Sequence, residues 1–114
     1  MGEQKDAGIA LCTELRRGML ALCVLSQTEQ PRYGYALVQI LEQSGVDADP
    51  NTLYPLLRRL EAQGLLQSRW DTADARPRKY YCRTAQGGRV YRRLRAQWQQ
   101  LCGAMTQLLS KEET

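Results

Sequence analysis

A chain of 114 residues has room for one domain with a modest core. Its 43% hydrophobic and 25% charged side chains are an ordinary globular mix. No apolar run approaches the ~18 residues of a membrane span, and with no histidine present a histidine nucleophile, zinc ligand or pH switch is excluded.

The opening MGEQKDAGIA lacks the apolar core of a secretory signal, so a cytoplasmic location is expected. Cys12, Cys23, Cys82 and Cys102 never form a Cys-x-x-Cys pair. Reduced, partly buried thiols are therefore expected rather than a metal site, with a redox sensor as the alternative, and no cofactor. The net charge of +4 is uneven: residues 1–57 carry 4 basic and 7 acidic side chains (−3), residues 58–114 carry 12 and 5 (+7). A basic half suggests a polyanionic partner.

A first helix is expected over Ile9–Leu25, where Leu11, Leu15, Met19, Leu22 and Leu25 recur at helical spacing. QTEQPRYG then breaks the pattern. A short second helix is expected over Tyr35–Gln43, with Leu37, Ile40 and Leu41 as its apolar set and Gly45 suited to its end. Asp49 is placed to cap a third helix, with Pro50 in its first turn, where no amide hydrogen is needed. Within NTLYPLLRRLEAQGLL, Leu53, Leu56, Leu57 and Leu60 fall within about 100° of one another, and Gly64 ends the helix. Asn51, Pro55 and Arg58 project nearly opposite, with Tyr54 and Arg59 on the flanks. Pro55 removes one backbone hydrogen bond and crowds the Asn51 carbonyl, which predicts irregular N-terminal turns.

LLQSRWD and RKYYCRT are expected as two short strands, joined by the turn-rich loop TADARP. The loop and its far side carry Arg76, Arg78 and Lys79. Tyr80 and Tyr81, adjacent in a strand, must point to opposite faces, which puts one of them in the core. The last helix runs from a cap at Thr84 to about Ser110. Val90, Leu94, Trp98, Leu101, Met105 and Leu108 follow spacings of 4, 4, 3, 4 and 3 along it, a heptad-like seam. At 1.5 Å per residue that helix is about 39 Å long. Three short helices and a hairpin cannot cover it along its whole length, whereas a second chain can.

The expected fold is mainly α with a small β-hairpin: a winged helix-turn-helix over residues 1–83, then a long C-terminal dimerisation helix over residues 84–114. In this arrangement the third helix enters the DNA major groove and the wing rides on the adjacent backbone. Arg58 is suited to guanine O6 and N7, and Asn51 and Thr52 to a phosphate or base edge. The Tyr54 hydroxyl has the length to reach a phosphate. Arg76, Arg78 and Lys79 provide charge for the backbone or minor groove, with Arg59 on the flank of the same helix.

RYGYALVQIL, NTLYPLLRRLEAQGLL, RW and RPRKYYCRTAQG together resemble the PadR family of bacterial transcriptional regulators, over roughly Arg17 to Leu101. The resemblance implies a winged-helix homodimer that represses transcription at double-stranded operator DNA and is released by a signal. It implies a dimer interface from the first and last helices, here Leu11, Leu15, Val90, Leu94, Trp98, Leu101, Met105 and Leu108. Some single-domain members bind flat aromatic compounds between subunits beside a tryptophan of the last helix, and Trp98 resembles that tryptophan. The resemblance also makes the Gly34–Tyr35 pair mainly a packing feature, with a phosphate bond from Tyr35. Two positions depart from the pattern. Asn51 stands where a small residue, often glycine, is usual, and Arg83 stands where an apolar residue is usual, so Arg83 must snorkel outward or the strand end must shift.

Blander roles compete with several of these. Tyr54 as surface packing, Trp98 as a buried seam residue, and Arg92, Arg93 and Arg95 as a solvated helix face all fit the same residues. No Gly-x-Ser-x-Gly, phosphate loop or paired-carboxylate arrangement suggests an enzyme. The alternative function is a winged-helix protein-interaction module without DNA binding. Such a module needs an apolar outward face on the third helix, where this chain has arginine and asparagine.

Overall fold

The structure is a computed structural model that describes the backbone of residues 2–110 and the side chains of residues 6–110; Met1 and residues 111–114 of the expected units lie outside it. The elements in order are α1 (Gly2–Gln27), β1 (Arg32–Tyr33), α2 (Gly34–Gln43), α3 (Pro50–Ala62), β2 (Leu66–Asp71), β3 (Arg78–Arg83) and α4 (Ala85–Ser110). The sheet is antiparallel with strand order β1-β3-β2. The fold is thus the expected winged helix-turn-helix with a long last helix. It differs in two ways: the hairpin is completed by the two-residue strand β1, and α1 begins about two turns earlier than its leucine spacing indicated.

Local chemistry sets the boundaries. The Asp49 carboxylate accepts the Asn51 amide at 3.0 Å and caps α3, with Pro50 in its first turn. Both α2 and α3 end in the same two-bond glycine turn. The amides of Gly45 and Val46 donate to the carbonyls of Glu42 and Leu41, and those of Gly64 and Leu65 to Glu61 and Leu60. The left-handed φ of Gly45 (90°) and Gly64 (79°) is what such turns require. Thr84 caps α4 by accepting the Gly87 amide at 2.9 Å. Pro55 does not interrupt α3, which runs unbroken from Pro50 to Ala62. The expected irregularity is absent because the cost falls on the single acceptor at Asn51, in an exposed first turn open to water.

The core gathers Leu20, Val24 and Leu25 of α1, Leu37 and Leu41 of α2, the four leucines of α3, Leu66 and Tyr81. Of the two adjacent tyrosines, Tyr81 is the buried one, while Tyr80 is half-buried and meets the Tyr33 ring edge-on. Arg83 resolves its departure by snorkelling. Its guanidinium donates to the Leu25 carbonyl at the end of α1, at 2.9 Å, and lies 4.8 Å over the Tyr91 ring. Val90 and Leu94 pack against this core, but farther along α4 the apolar residues lose protein neighbours. Trp98, Leu101, Met105 and Leu108 are 45–61% exposed, and Ile9, Leu11 and Leu15 of α1 are 65–71% exposed. Two 26-residue helices that outrun a small core account for a long axis of 59 Å against 37 and 25 Å.

Candidate nucleic-acid interface

The four buried leucines of α3 leave its opposite face to solvent. Asn51, Thr52, Pro55, Arg58 and Arg59 are exposed there. Arg58 makes no ion pair or side-chain hydrogen bond among the described residues, so its donors are available. One flank of α3 turns toward the wing. On that flank Glu61 accepts the Ser68 hydroxyl of β2 at 2.5 Å and faces Lys79 of β3 at 3.8 Å. Tyr54, two turns earlier, lies against the start of α2. A Cβ on Gly34 would come within 2.6 Å of the Tyr54 ring, so only glycine permits this approach. This close approach is the packing role of the Gly34–Tyr35 pair.

These contacts bring α2, α3 and β3 together around a cleft of about 180 Å³ lined by Gly34, Tyr35, Tyr54, Arg78, Lys79 and Tyr81. A second hollow of about 580 Å³ is lined by Tyr35, Asp74, Arg76 and Arg78. Five residues assigned to DNA from the sequence thus share two adjoining hollows: Tyr35, Tyr54, Arg76, Arg78 and Lys79. Asn51, Thr52, Arg58 and Arg59 lie apart from both, on the exposed face of α3. The Tyr35 hydroxyl is itself an acceptor for Arg78, at 3.4 Å, and Arg76 is exposed in the wing loop.

Sequence reasoning missed the support beneath the wing. Tyr33 donates its hydroxyl to the Asp71 carboxylate, stacks on Tyr35 at 5.8 Å, and carries the Arg78 guanidinium 4.6 Å over its ring. The bond from Tyr33, aided by the Ala73 amide, holds the Asp71 carboxyl below its ordinary range, and the same bond raises the Tyr33 phenol above its own. Burial raises the Tyr81 phenol and the Cys23 thiol, so both stay neutral at pH 7. Asp74 pairs with Arg78 at 2.8 Å. The spacing of Asp74 and Arg78 was visible in the sequence, but nothing there indicated that the loop would turn one onto the other.

Among the described residues there is no group of three or more histidine, cysteine or carboxylate side chains placed to hold a metal. None of the described helices is long and apolar enough to cross a membrane.

A polar-faced recognition helix flanked by a basic wing defines the class: a winged-helix, DNA-binding transcriptional regulator, not an enzyme. Residues 21–93 match the family model described as the transcriptional regulator PadR-like family. The chain belongs to the PadR family. It is 39% identical over 75 residues to the transcriptional regulator Rv3488 of Mycobacterium tuberculosis, covering 65% of this chain and 70% of that protein. A PadR family transcriptional regulator from Eggerthella lenta is similar in structure, with 50% identity, a TM-score of 0.81, and 96% and 97% of the two chains covered. A Streptococcus transcriptional regulator superposes with 31% identity and a TM-score of 0.73 over 82% of this chain and 95% of its own.

Proposed function

We propose that the chain is a cytoplasmic, homodimeric repressor whose affinity for operator DNA is lowered by a planar aromatic effector. Residues 1–83 form the DNA-binding unit, and residues 84–114 form the dimerisation helix. Arg58 reads a guanine from the exposed face of α3, with Asn51, Thr52 and Arg59 beside it. Tyr35, Tyr54, Arg76, Arg78 and Lys79 hold the DNA backbone across the adjoining hollows.

The observation that carries the dimer is the apolar surface at the far ends of α1 and α4. Leu11 and Leu15 are 65% and 71% exposed, and Trp98, Leu101, Met105 and Leu108 follow on α4. Burying such side chains is worth roughly 1.5–3 kcal/mol each, which a second copy recovers. Val90 and Leu94 then serve two surfaces, packing inward on their own core at the root of the same seam. Between α1 and α4 lies a groove of about 530 Å³ lined by Leu15, Met19, Leu22, Leu94, Trp98 and Met105, among others. It supports a flat hydrophobic effector stacking on Trp98.

Sedimentation of the parent and of Leu101→Asp tests the assembly. The parent sediments as a dimer at micromolar concentration. The variant, which would bury an unpaired charge in the seam, sediments as a folded monomer with reduced operator affinity. A monodisperse parent monomer that still binds a palindromic operator overturns the reading.

A further inference from the structure

The wing arginine best placed for a phosphate is already occupied. In the free protein the Arg78 Nη2 atom donates to the Asp74 carboxylate at 2.8 Å. Its Nη1 atom donates to the Tyr35 hydroxyl at 3.4 Å, and its guanidinium lies 4.6 Å over the Tyr33 ring. These contacts differ in kind. Tyr33 belongs to β1 and Tyr35 to the first turn of α2, and both are fixed by the fold. Asp74 lies in the loop between β2 and β3, its side chain is 69% exposed, and its bond to Arg78 is its only side-chain contact among the hydrogen bonds and ion pairs of the described residues.

We propose that Asp74 is an intramolecular stand-in for a DNA phosphate. It holds Arg78 in register on the Tyr33–Tyr35 seat and is displaced when the backbone oxyanion arrives. This rests on the reading of Arg78 as a DNA-backbone contact. Carboxylate and phosphate oxygens both accept from a guanidinium fork, so they compete for the same donors. An exposed pair is weak enough to be exchanged. The tyrosine seat stays behind, so Arg78 is already ordered when Asp74 leaves. Free Asp74 then adds a negative charge beside the bound strand. Asp74 therefore opposes binding at every sequence alike, and leaves to Arg58 and its neighbours the contacts that separate an operator from other DNA. Sequence-independent affinity is a liability for a regulator among many competing sites, which gives such a stand-in a use.

The test is a double-mutant cycle of Asp74→Asn and Arg78→Ala. Each variant is titrated with a duplex carrying the promoter of the protein's own gene and with a random duplex of equal length, at several salt concentrations. Asp74→Asn is expected to bind both duplexes about 1.4- to fivefold tighter, the range an exposed ion pair spans, and to steepen the logarithmic salt slope by up to about one unit. The gain must shrink in the Arg78→Ala background to what the bare charge of Asp74 contributes, and Asp74→Glu must restore parental binding. A gain that is undiminished without Arg78 reduces Asp74 to a plain repulsive charge and overturns the proposal, as does no gain at all. If Arg78→Ala itself leaves both duplexes bound as by the parent, the fault lies in the DNA-contact reading of Arg78 on which the proposal rests.

Discussion

Gly34→Ala is a one-carbon perturbation whose cost follows from the structure. The new Cβ would lie 2.6 Å from Cε1 of Tyr54 and 3.4 Å from its Cζ and hydroxyl oxygen. Carbon atoms in contact sit about 3.5–4.0 Å apart, so the ring must retreat by about 1 Å. It is half-buried and packs against the core, so retreat disturbs its neighbours. Such overpacking costs about 1–3 kcal/mol. Alanine's better helix propensity returns at most about 1 kcal/mol of this. A net loss of about 1–2 kcal/mol is expected as a lower urea midpoint with an unchanged slope. The same displacement moves Tyr54 within the cleft it shares with Tyr35, Arg78 and Lys79, so DNA affinity should fall as well. The control is the Tyr54→Ala background, where the obstructing ring is absent and Gly34→Ala should become neutral or mildly stabilising. An unchanged midpoint for Gly34→Ala alone, or an undiminished loss after Tyr54→Ala, refutes the steric account.

If Arg58 reads a guanine as proposed, Arg58→Ala should weaken binding to the operator by about 1–3 kcal/mol and random duplex far less; equal loss on both duplexes would reassign Arg58 to the backbone. Tyr33→Phe removes the bond to Asp71 and should destabilise the protein only over a defined pH range. The folded Asp71 carboxyl titrates below its unfolded value, so its contribution is present above pH ~4 and is lost as pH falls through the folded value. The folded Tyr33 phenol titrates above its unfolded value, so its contribution is present below pH ~10 and is lost as pH rises through the folded value. Urea midpoints of parent and Tyr33→Phe should therefore separate fully between about pH 4 and 10 and converge only beyond the folded values, below that of Asp71 and above that of Tyr33. A gap independent of pH would mean that lost ring packing, not the bond, accounts for the difference.

What was legible in the sequence is what acts over a few residues. The Asp49–Pro50 start of α3, the Gly45 and Gly64 turns and the Thr84 cap are all bonds between near neighbours. The leucine spacing of α3 likewise implied an outward face at Asn51, Pro55 and Arg58, because helical geometry alone relates the two faces. Strand β1 was not legible. Two residues show no alternation, and its partners Tyr80 and Tyr81 lie far along the chain. The bond from Arg83 to the Leu25 carbonyl spans 58 residues, and no local pattern encodes it. The early start of α1 was hidden for a different reason: its first turns have no apolar period, and helix propensity alone is a weak signal. For the candidate site, the basic residues were legible by type, but the seat beneath Arg78 was not, since Tyr33 reads as part of the break before α2 until β1 is known.

The junction between wing and α4 bears on how a signal at the far end of α4 would reach DNA. The Arg83 amide donates to the Thr28 carbonyl at 2.7 Å, and the Arg83 side chain to the Leu25 carbonyl at 2.9 Å. The Thr84 amide donates to the Leu65 carbonyl at 3.0 Å, and its hydroxyl to the Gly64 carbonyl at 2.7 Å. Gly87 sits so close to the Leu65 carbonyl oxygen that an added Cβ would lie 2.1 Å away. The ends of α1, α3 and β3 and the start of α4 are thus tied at one point, so a swing of α4 relative to the wing would break these bonds. In the proposed homodimer, a ligand beside Trp98 then acts on a rigid arm. Trp98 lies about 16 Å along α4 from Gly87, so a change of a few degrees in the crossing of two such arms moves each α3 by about 1 Å. Base-edge hydrogen bonds work within about 2.7–3.2 Å, so a displacement of that size removes them. A tenfold loss of operator affinity needs only about 1.4 kcal/mol of coupling, within the usual allosteric range. The junction at Arg83, Thr84 and Gly87 is therefore the route by which a signal at Trp98 would reach α3 in that homodimer.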